Sequence, residues 1–236
     1  MMLASIEKQG YELLAASDFA STQIFSNSEG FGVFAGYWNN LTFDPYMKDG
    51  GRYRRRRYGQ FILNNASNRL EFLGNAPFFQ AEKYNTLNGG VYRQFECLTS
   101  EFQQSDLLHE FIRYFASRQP LSKISTSWLV NVHQIRVECS KGVAGMATPE
   151  GVHQDGHRFV AQILIDRRNV EGGESILYSS LENEVARITL KNSLDAIFVD
   201  DEKLWHNVTP VVTSPSQMHG YRDMLLLDFN ISESAK

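Results

Sequence analysis

The hydrophobic pattern changes period about halfway along the chain. Between Ser105 and Arg118, Leu107, Leu108, Phe111, Ile112 and Phe115 recur at helical spacing and predict a helix with one apolar face. Ser105 is placed to cap it, Asp106 and Glu110 sit early, Arg113 and Arg118 sit late, and Pro120 follows its end. The chain before this helix carries shorter patterns: Tyr11–Phe19 reads as a short helix, and Gly32–Trp38 and Arg54–Leu63 read as strands. After Pro120 the period becomes that of strands. Ser127–Glu138 alternates and is rich in β-branched residues, and Phe159–Ile165 is an apolar run. Glu171–Gly173 reads as a turn, followed by strands over Glu174–Tyr178, Val185–Leu190, Ala196–Val199, His206–Val212 and Met224–Phe229.

Seven or eight short strands at regular spacing predict a sandwich or barrel. The expected fold is mostly β with flanking helices, and a double-stranded β-helix (jelly-roll) core is one such solution. The 236 residues fit one domain over 1–236, with a helical and strand N-terminal support over about 1–125 and the jelly-roll part over about 126–232. Lys141–Gly151, with Gly142, Gly145, Pro149 and Gly151, reads as a loop inside that domain because strand-like segments flank it. Residues 39–53 and 140–150 are candidates for loops that close over a pocket.

Composition narrows the function classes. The net charge is −4, which gives no overall basic balance for nucleic acid, and the run Arg54-Arg55-Arg56-Arg57 is the local exception. In a strand, Arg55 and Arg57 face one way and Arg54 and Arg56 the other, and one inward arginine at a site mouth is expected. Two cysteines, Cys97 and Cys139, fit a reducing cytoplasm and neither a disulfide framework nor a cysteine-based zinc site. Glu7 and Lys8 interrupt any secretory apolar run, and no stretch long enough to span a membrane occurs, so the expected location is cytoplasmic.

The most informative segment is Gly151-Val152-His153-Gln154-Asp155-Gly156-His157. Residues i and i+2 of a strand share a face, so His153 and Asp155 converge on one point. A neutral imidazole and a carboxylate are mixed N/O ligands that suit iron(II). His206 lies 51 residues later, opening a strand after the acidic turn Asp200-Asp201-Glu202, and supplies a third ligand. Two histidines and one carboxylate leave open coordination positions, as non-haem Fe(II) oxygenases require. A 2-oxo acid and O2 fill them. The distal carboxylate of 2-oxoglutarate needs a buried cation, and a guanidinium provides two parallel hydrogen bonds. Arg222 opens the strand ending at Phe229 and approaches the metal if its strand and that of His206 are antiparallel neighbours.

The segment Thr148-Pro149-Glu150-Gly151-Val152-His153-Gln154-Asp155-Gly156 resembles the metal segment of the bacterial 2-oxoglutarate-Fe dioxygenase family that includes L-isoleucine dioxygenase. The resemblance extends through Gly172-Gly173-Glu174-Ser175, Trp205-His206-Asn207-Val208-Thr209-Pro210-Val211 and Arg222-Asp223-Met224-Leu225, and to Tyr53-Arg54-Arg55-Arg56-Arg57-Tyr58. It covers roughly residues 35 to 230. It implies Fe(II), 2-oxoglutarate and O2 as reactants, and as substrate a free aliphatic L-amino acid of the isoleucine, leucine or methionine type. Another small molecule, a peptide side chain, or a metal-binding jelly-roll without oxygenase activity are the alternatives.

Three further residues are candidate substrate contacts. Gln134 and Arg136 share one strand face, and Arg136 would hold a substrate carboxylate if that face lines the barrel, whereas a rim ion pair is the alternative. His157 stands four residues beyond His153, and the turn expected at Gly156 carries it away from the metal. His133 lies on the face opposite Gln134 and reads as structural.

Overall fold

The computed structural model describes residues 6–19, 28–85, 87–118 and 120–232. The strands run β1 (Tyr11–Leu14), β2 (Thr42–Phe43), β3 (Arg54–Asn64), β4 (Arg69–Gly74), β5 (Phe78–Phe79), β6 (Tyr92–Arg93), β7 (Ser127–Ser140) and β8 (Phe159–Arg168). They continue as β9 (Val170–Gly172), β10 (Ser175–Ser180), β11 (Asn183–Ile188), β12 (Ala196–Asp200), β13 (Trp205–Val208), β14 (Val211–Thr213) and β15 (His219–Ile231). The helices are α1 (Ile6–Gln9), α2 (Ser28–Gly36), α3 (Ser100–Gln103), α4 (Asp106–Ser117) and α5 (Leu121–Ile124).

A large antiparallel sheet has the order β1-β12-β8-β15-β7-β3-β2, with β4 also on β3. A smaller sheet, β11-β10-β13, and the pair β14-β9 supply the second layer of the jelly roll. Alternation along the central strands divides the interior in two. Leu225, Leu227 and Phe229 of β15, with Trp128, Val130 and Val132 of β7, join the core that contains Leu108, Phe111, Ile112 and Phe115 of α4. Met224 of β15, Leu164 of β8 and Ile197 of β12 instead pack with Leu177 of β10 in the smaller core between the layers. The large sheet is buried on both faces, which is why its strands read as apolar runs as much as alternating ones. The helix predicted over 105–118 is α4, and its apolar stripe is fully buried. Truncating Phe111 to alanine in such a core costs about 3–5 kcal/mol.

Two N-terminal expectations are corrected. Tyr11–Leu14 is an edge strand paired with β12 in the register Tyr11↔Val199, and only Ala16–Phe19 makes a short 3-10 turn. Four residues are too few for helical and strand periods to separate, and the open edge of β12 decides. Gly32–Trp38 is not a strand: α2 covers Ser28–Gly36 and a 3-10 turn covers Tyr37–Asn40. Phe34 and Trp38, four apart, pack against each other and against Phe102, as a helical turn permits. Further on, His206–Val212 divides into β13 and β14 around Thr209-Pro210, and Glu171 and Gly172 of the expected turn belong to β9, which pairs with β14.

Candidate active site

The cavity between the two layers is lined by the sheet-facing residues of β3, β7, β13 and β15, by the loop before His153, and by the segment 78–93. His153 and His206 are tied together through the backbone: each amide donates to the other's carbonyl, at 2.9 and 2.8 Å. This isolated antiparallel bridge brings their rings to 4.4 Å between centroids. Asp155 Oδ1 lies 3.4 Å from His153 Nε2, and its Oδ2 lies 3.3 Å from His206 Nε2. One ligand atom from each of the three lies within 4.8 Å of the others. His153 Nδ1 bonds the Gly151 carbonyl at 2.9 Å, so Nδ1 carries a proton and Nε2 is the atom turned toward Asp155, where a metal would displace its proton. Two imidazole nitrogens and one carboxylate on one side of a cavity fit a divalent iron with open positions.

The electrostatics favour a cation there. Burial alone would lower the pKa of His153, but Asp155 and Glu150 beside it raise it to about 9. Despite its own burial, Asp155 is held well below the usual carboxylate range by His206 and His153.

The loop holding Asp155 is fixed from behind by Asp201, which is buried. Asp201 Oδ1 accepts from the Asp155 amide at 3.0 Å, and Oδ2 accepts from Gly156 at 2.8 Å and His157 at 3.0 Å. Gly156 sits at φ +83°, where a side chain is strained, and a Cβ there would come within 2.5 Å of the Tyr84 ring. From the other side, Gln80 Nε2 donates to the Asp155 carbonyl at 3.0 Å and to Oδ1 at 3.3 Å.

Arg222 reaches the cavity by a different route from the one expected. Its strand does not pair with that of His206: β15 lies between β7 and β8, and β13 pairs with β10. The two residues therefore face each other across the cavity from different layers. Arg222 is 3% exposed, and its Nε and Nη2 have no partner. Burial, and then the neighbouring Arg167, lower its pKa to about 10, so it stays charged. Gly173, at φ +68°, leaves room for its side chain: a Cβ there would stand 3.0 Å from Arg222 Cδ.

The candidate substrate contacts need correction. Alternation along β7 turns His133, Ile135 and Val137 into the cavity and Gln134 and Arg136 away from it. Arg136 makes a two-pronged bond to Asp223, with Nε and Nη2 both at 2.7 Å from its oxygens, and stacks over Tyr221. Gln134 is fully buried on the helix-facing side with neither amide atom bonded. His133, read as structural, lines the cavity; its Nε2 lies 2.9 Å from Asp228, and its Nδ1 lies 2.7 Å from Arg56 Nη2. His157 is turned away from the candidate metal ligands as expected and contacts Asp228 at 3.2 Å and Asn230. Of the arginine run, two residues face inward: Arg54 and Arg56 line the cavity, while Arg55 pairs with Glu138 and Arg57 bonds the Asn40 carbonyl. Arg93, Gln80 and Asp201 carried no periodic or motif signal beyond the acidic turn.

Residues 35–228 match the 2OG-Fe dioxygenase family. The chain belongs to that family. As members, these enzymes use Fe(II), 2-oxoglutarate and O2. Among curated proteins, this dioxygenase is 28% identical over 199 residues to the L-isoleucine-4-hydroxylase of Bacillus thuringiensis, covering 83% of this chain and 80% of that protein. Among solved structures, a bsmA homologue from Methylobium petroleophilum PM1 matches with a TM-score of 0.82 and 31% identity, over 96% of this chain and 90% of its own. The IDO of Bacillus thuringiensis shares the fold with a TM-score of 0.79 at 21% identity, over 97% and 96% of the two chains. Among the described residues, no helix is long and apolar enough to cross a membrane.

Proposed function

We propose that this dioxygenase hydroxylates a free aliphatic L-amino acid of the isoleucine, leucine or methionine type. In this reading His153, Asp155 and His206 hold the iron, and Arg222 binds the distal carboxylate of 2-oxoglutarate. The observation that carries it is a single cavity containing both the triad and a buried arginine with two free guanidinium nitrogens. Bound Fe(II) supplies the place where O2 oxidises 2-oxoglutarate to succinate and CO2 with one oxygen atom and a substrate C–H to C–OH with the other. The protein's part is to hold and orient. Asp201 holds the Asp155 backbone amide and Gln80 its carboxylate, the Gly151 carbonyl fixes the proton on His153 Nδ1, and Ile135, Val137, Val208 and Met224 give the cavity an apolar wall for an aliphatic side chain. The name of the Bacillus thuringiensis relative supports the same substrate class, and two free cysteines fit a reducing cytoplasm.

The experiment is a succinate-release assay with purified protein, Fe(II), 2-oxoglutarate, O2 and each free L-amino acid in turn. The expected result is stimulation by isoleucine, leucine or methionine, and its loss in His153→Ala. Succinate release that no amino acid stimulates would remove the substrate assignment. Release that survives in His153→Ala would remove the ligand assignment.

A further inference from the structure

The cavity has a second cationic wall, separate from Arg222. Arg54 and Arg222 lie on either side of β7, both in register with Val137, so their backbones are about 10 Å apart at the usual strand spacing. Arg56 follows Arg54 on the same face of β3, and Arg93 reaches in from the short hairpin β5–β6. All three are buried, at 5%, 7% and 2% exposure.

Arg54 has its counter-charge: Asp44 Oδ2 accepts from its Nε at 2.8 Å. Arg56 and Arg93 have no carboxylate in direct contact, although Asp44 acts on both through space, with Asp228 also on Arg56 and Glu150 and Asp155 on Arg93. Among the described residues no carboxylate pairs with either guanidinium. Arg56 Nη2 meets the His133 ring, and Arg93 Nη2 donates to the Gln80 side-chain carbonyl at 3.2 Å. The two guanidinium groups lie over the same two rings, with Arg56 4.2 Å from the Phe95 centroid and Arg93 4.9 Å from that of Phe78. Each keeps a buried Nε without a partner. Burial lowers both pKa values, to about 9 and about 10, with Arg54 the next contributor in each case, and both remain charged at neutral pH.

Two neighbouring buried cations with no anion in direct contact leave donors that a ligand can satisfy. A planar carboxylate accepts from two guanidinium groups at once. Glu150, linked to Arg93 through Asn85 and Gln80, presents the opposite need. Its Oε1 lies 3.4 Å from Asn85 Nδ2 and 3.5 Å from His153 Nε2, and its Oε2 is buried with no donor.

We propose that Arg56 and Arg93 together bind the α-carboxylate of the substrate, and that Glu150 receives its α-ammonium. This deepens the amino-acid reading above and rests on it. The zwitterionic head is gripped at two points, and the side chain is left to extend along the apolar wall toward the metal. Arg54 is paired with Asp44. Arg136, whose face does not line the cavity, makes the alternative ion pair with Asp223 and leaves the carboxylate to Arg56 and Arg93.

The test is equilibrium binding by anaerobic calorimetry to the Fe(II)- and 2-oxoglutarate-loaded protein. The probes are L-isoleucine, L-isoleucinamide, which lacks the carboxylate, and 3-methylpentanoate, which lacks the ammonium. If another amino acid gives the strongest succinate release, its amide and its des-amino acid take their place. Wild type is expected to prefer the amino acid over each analogue by about tenfold or more, the scale of one bond to a charged group. Arg56→Met and Arg93→Met should weaken the amino acid by a similar factor and bring the acid-to-amide ratio toward one. Arg93→Lys, which keeps the charge, should recover part of the loss, and it stands in if the methionine variant does not fold. Glu150→Gln should instead abolish the preference for the amino acid over 3-methylpentanoate.

Unchanged ratios in the arginine variants overturn the subsite. A loss of 2-oxoglutarate affinity with substrate affinity intact also overturns it, because the cosubstrate would then occupy the pair. If no free amino acid binds or stimulates succinate release, the amino-acid reading fails by itself. Aliphatic carboxylates and dicarboxylates without an amine are then run in the same assay. Stimulation that Arg93→Met removes keeps the carboxylate subsite and discards the ammonium site; no response to any carboxylate overturns both.

Discussion

Asp201 accepts the backbone amide of Asp155, and the same carboxylate takes the two amides that follow. A side chain 46 residues away in sequence thus sets where the metal-facing carboxylate begins. Asparagine keeps the shape but turns an NH2 group toward donors already present. Asp201→Asn is expected to lower divalent-metal affinity by about ten- to hundredfold, as loss of a residue that orients a ligand does. It should also destabilise the fold by about 1–3 kcal/mol through unpaired buried amides. Competition titration with Fe(II) or Mn(II) and urea unfolding measure the two effects; unchanged metal affinity would show that the loop holds itself.

Arg222 combines burial with two unpartnered nitrogens, and this separates its two contributions. In Arg222→Met the half-saturating 2-oxoglutarate concentration should rise by at least about tenfold, given about 1.5–3 kcal/mol for each bond to a charged group. The Tm of the protein without 2-oxoglutarate should hold or rise, since an uncompensated buried charge is removed. Wild type should gain Tm on adding 2-oxoglutarate and the variant should not. A variant stabilised as strongly as wild type would place the cosubstrate elsewhere.

Gly173 tests the same pocket without touching the charge. An alanine Cβ would stand 3.0 Å from Arg222 Cδ, and the residue occupies φ +68°, which costs a non-glycine residue about 1–2 kcal/mol. Gly173→Ala should lower Tm and weaken 2-oxoglutarate binding by less than Arg222→Met does, while metal affinity stays unchanged. A variant with full 2-oxoglutarate affinity would mean that Arg222 tolerates displacement.

The three candidate ligands were legible as residue types and spacing, but the strand expected to align His153 with Asp155 does not form: that segment is a loop in which only His153 makes an isolated bridge, to His206. Arg222 was legible as a residue but not as a route: the strand order that puts it opposite His206 depends on crossovers between layers. Which face of β7 looks into the cavity stayed open for the same reason. Period 2 says that Gln134 and Arg136 share a face and His133 the other. It does not say which face looks inward when both sides of the sheet are buried. Arg93 and Gln80 belong to a hairpin of two-residue strands, too short for any period. Asp201 acts on backbone amides, so no partner residue type announced it.

His133 gives the site a pH dependence with a definite sign. Burial first, then Arg56 against its Nδ1, lower its pKa to about 4, while Asp228 on Nε2 only partly opposes them. The unfolded chain carries a histidine of pKa about 6.5. Above that value the ring is neutral in both states and its contribution to stability is complete. As pH falls from about 6.5 to about 4, the unfolded state takes up a proton that the folded state refuses, and stability declines by up to roughly 3 kcal/mol. His157, on the other side of Asp228, has a raised pKa and loses its contribution only on the alkaline side, outside this window. His133→Gln can still accept from Arg56 and donate to Asp228 but does not titrate. Urea unfolding midpoints between pH 7.5 and 4.5 should therefore fall less steeply in His133→Gln than in wild type, by about one proton's worth of slope. Parallel curves would mean that His133 protonates in the folded protein, and that the Arg56 contact does not hold its Nδ1 as an acceptor.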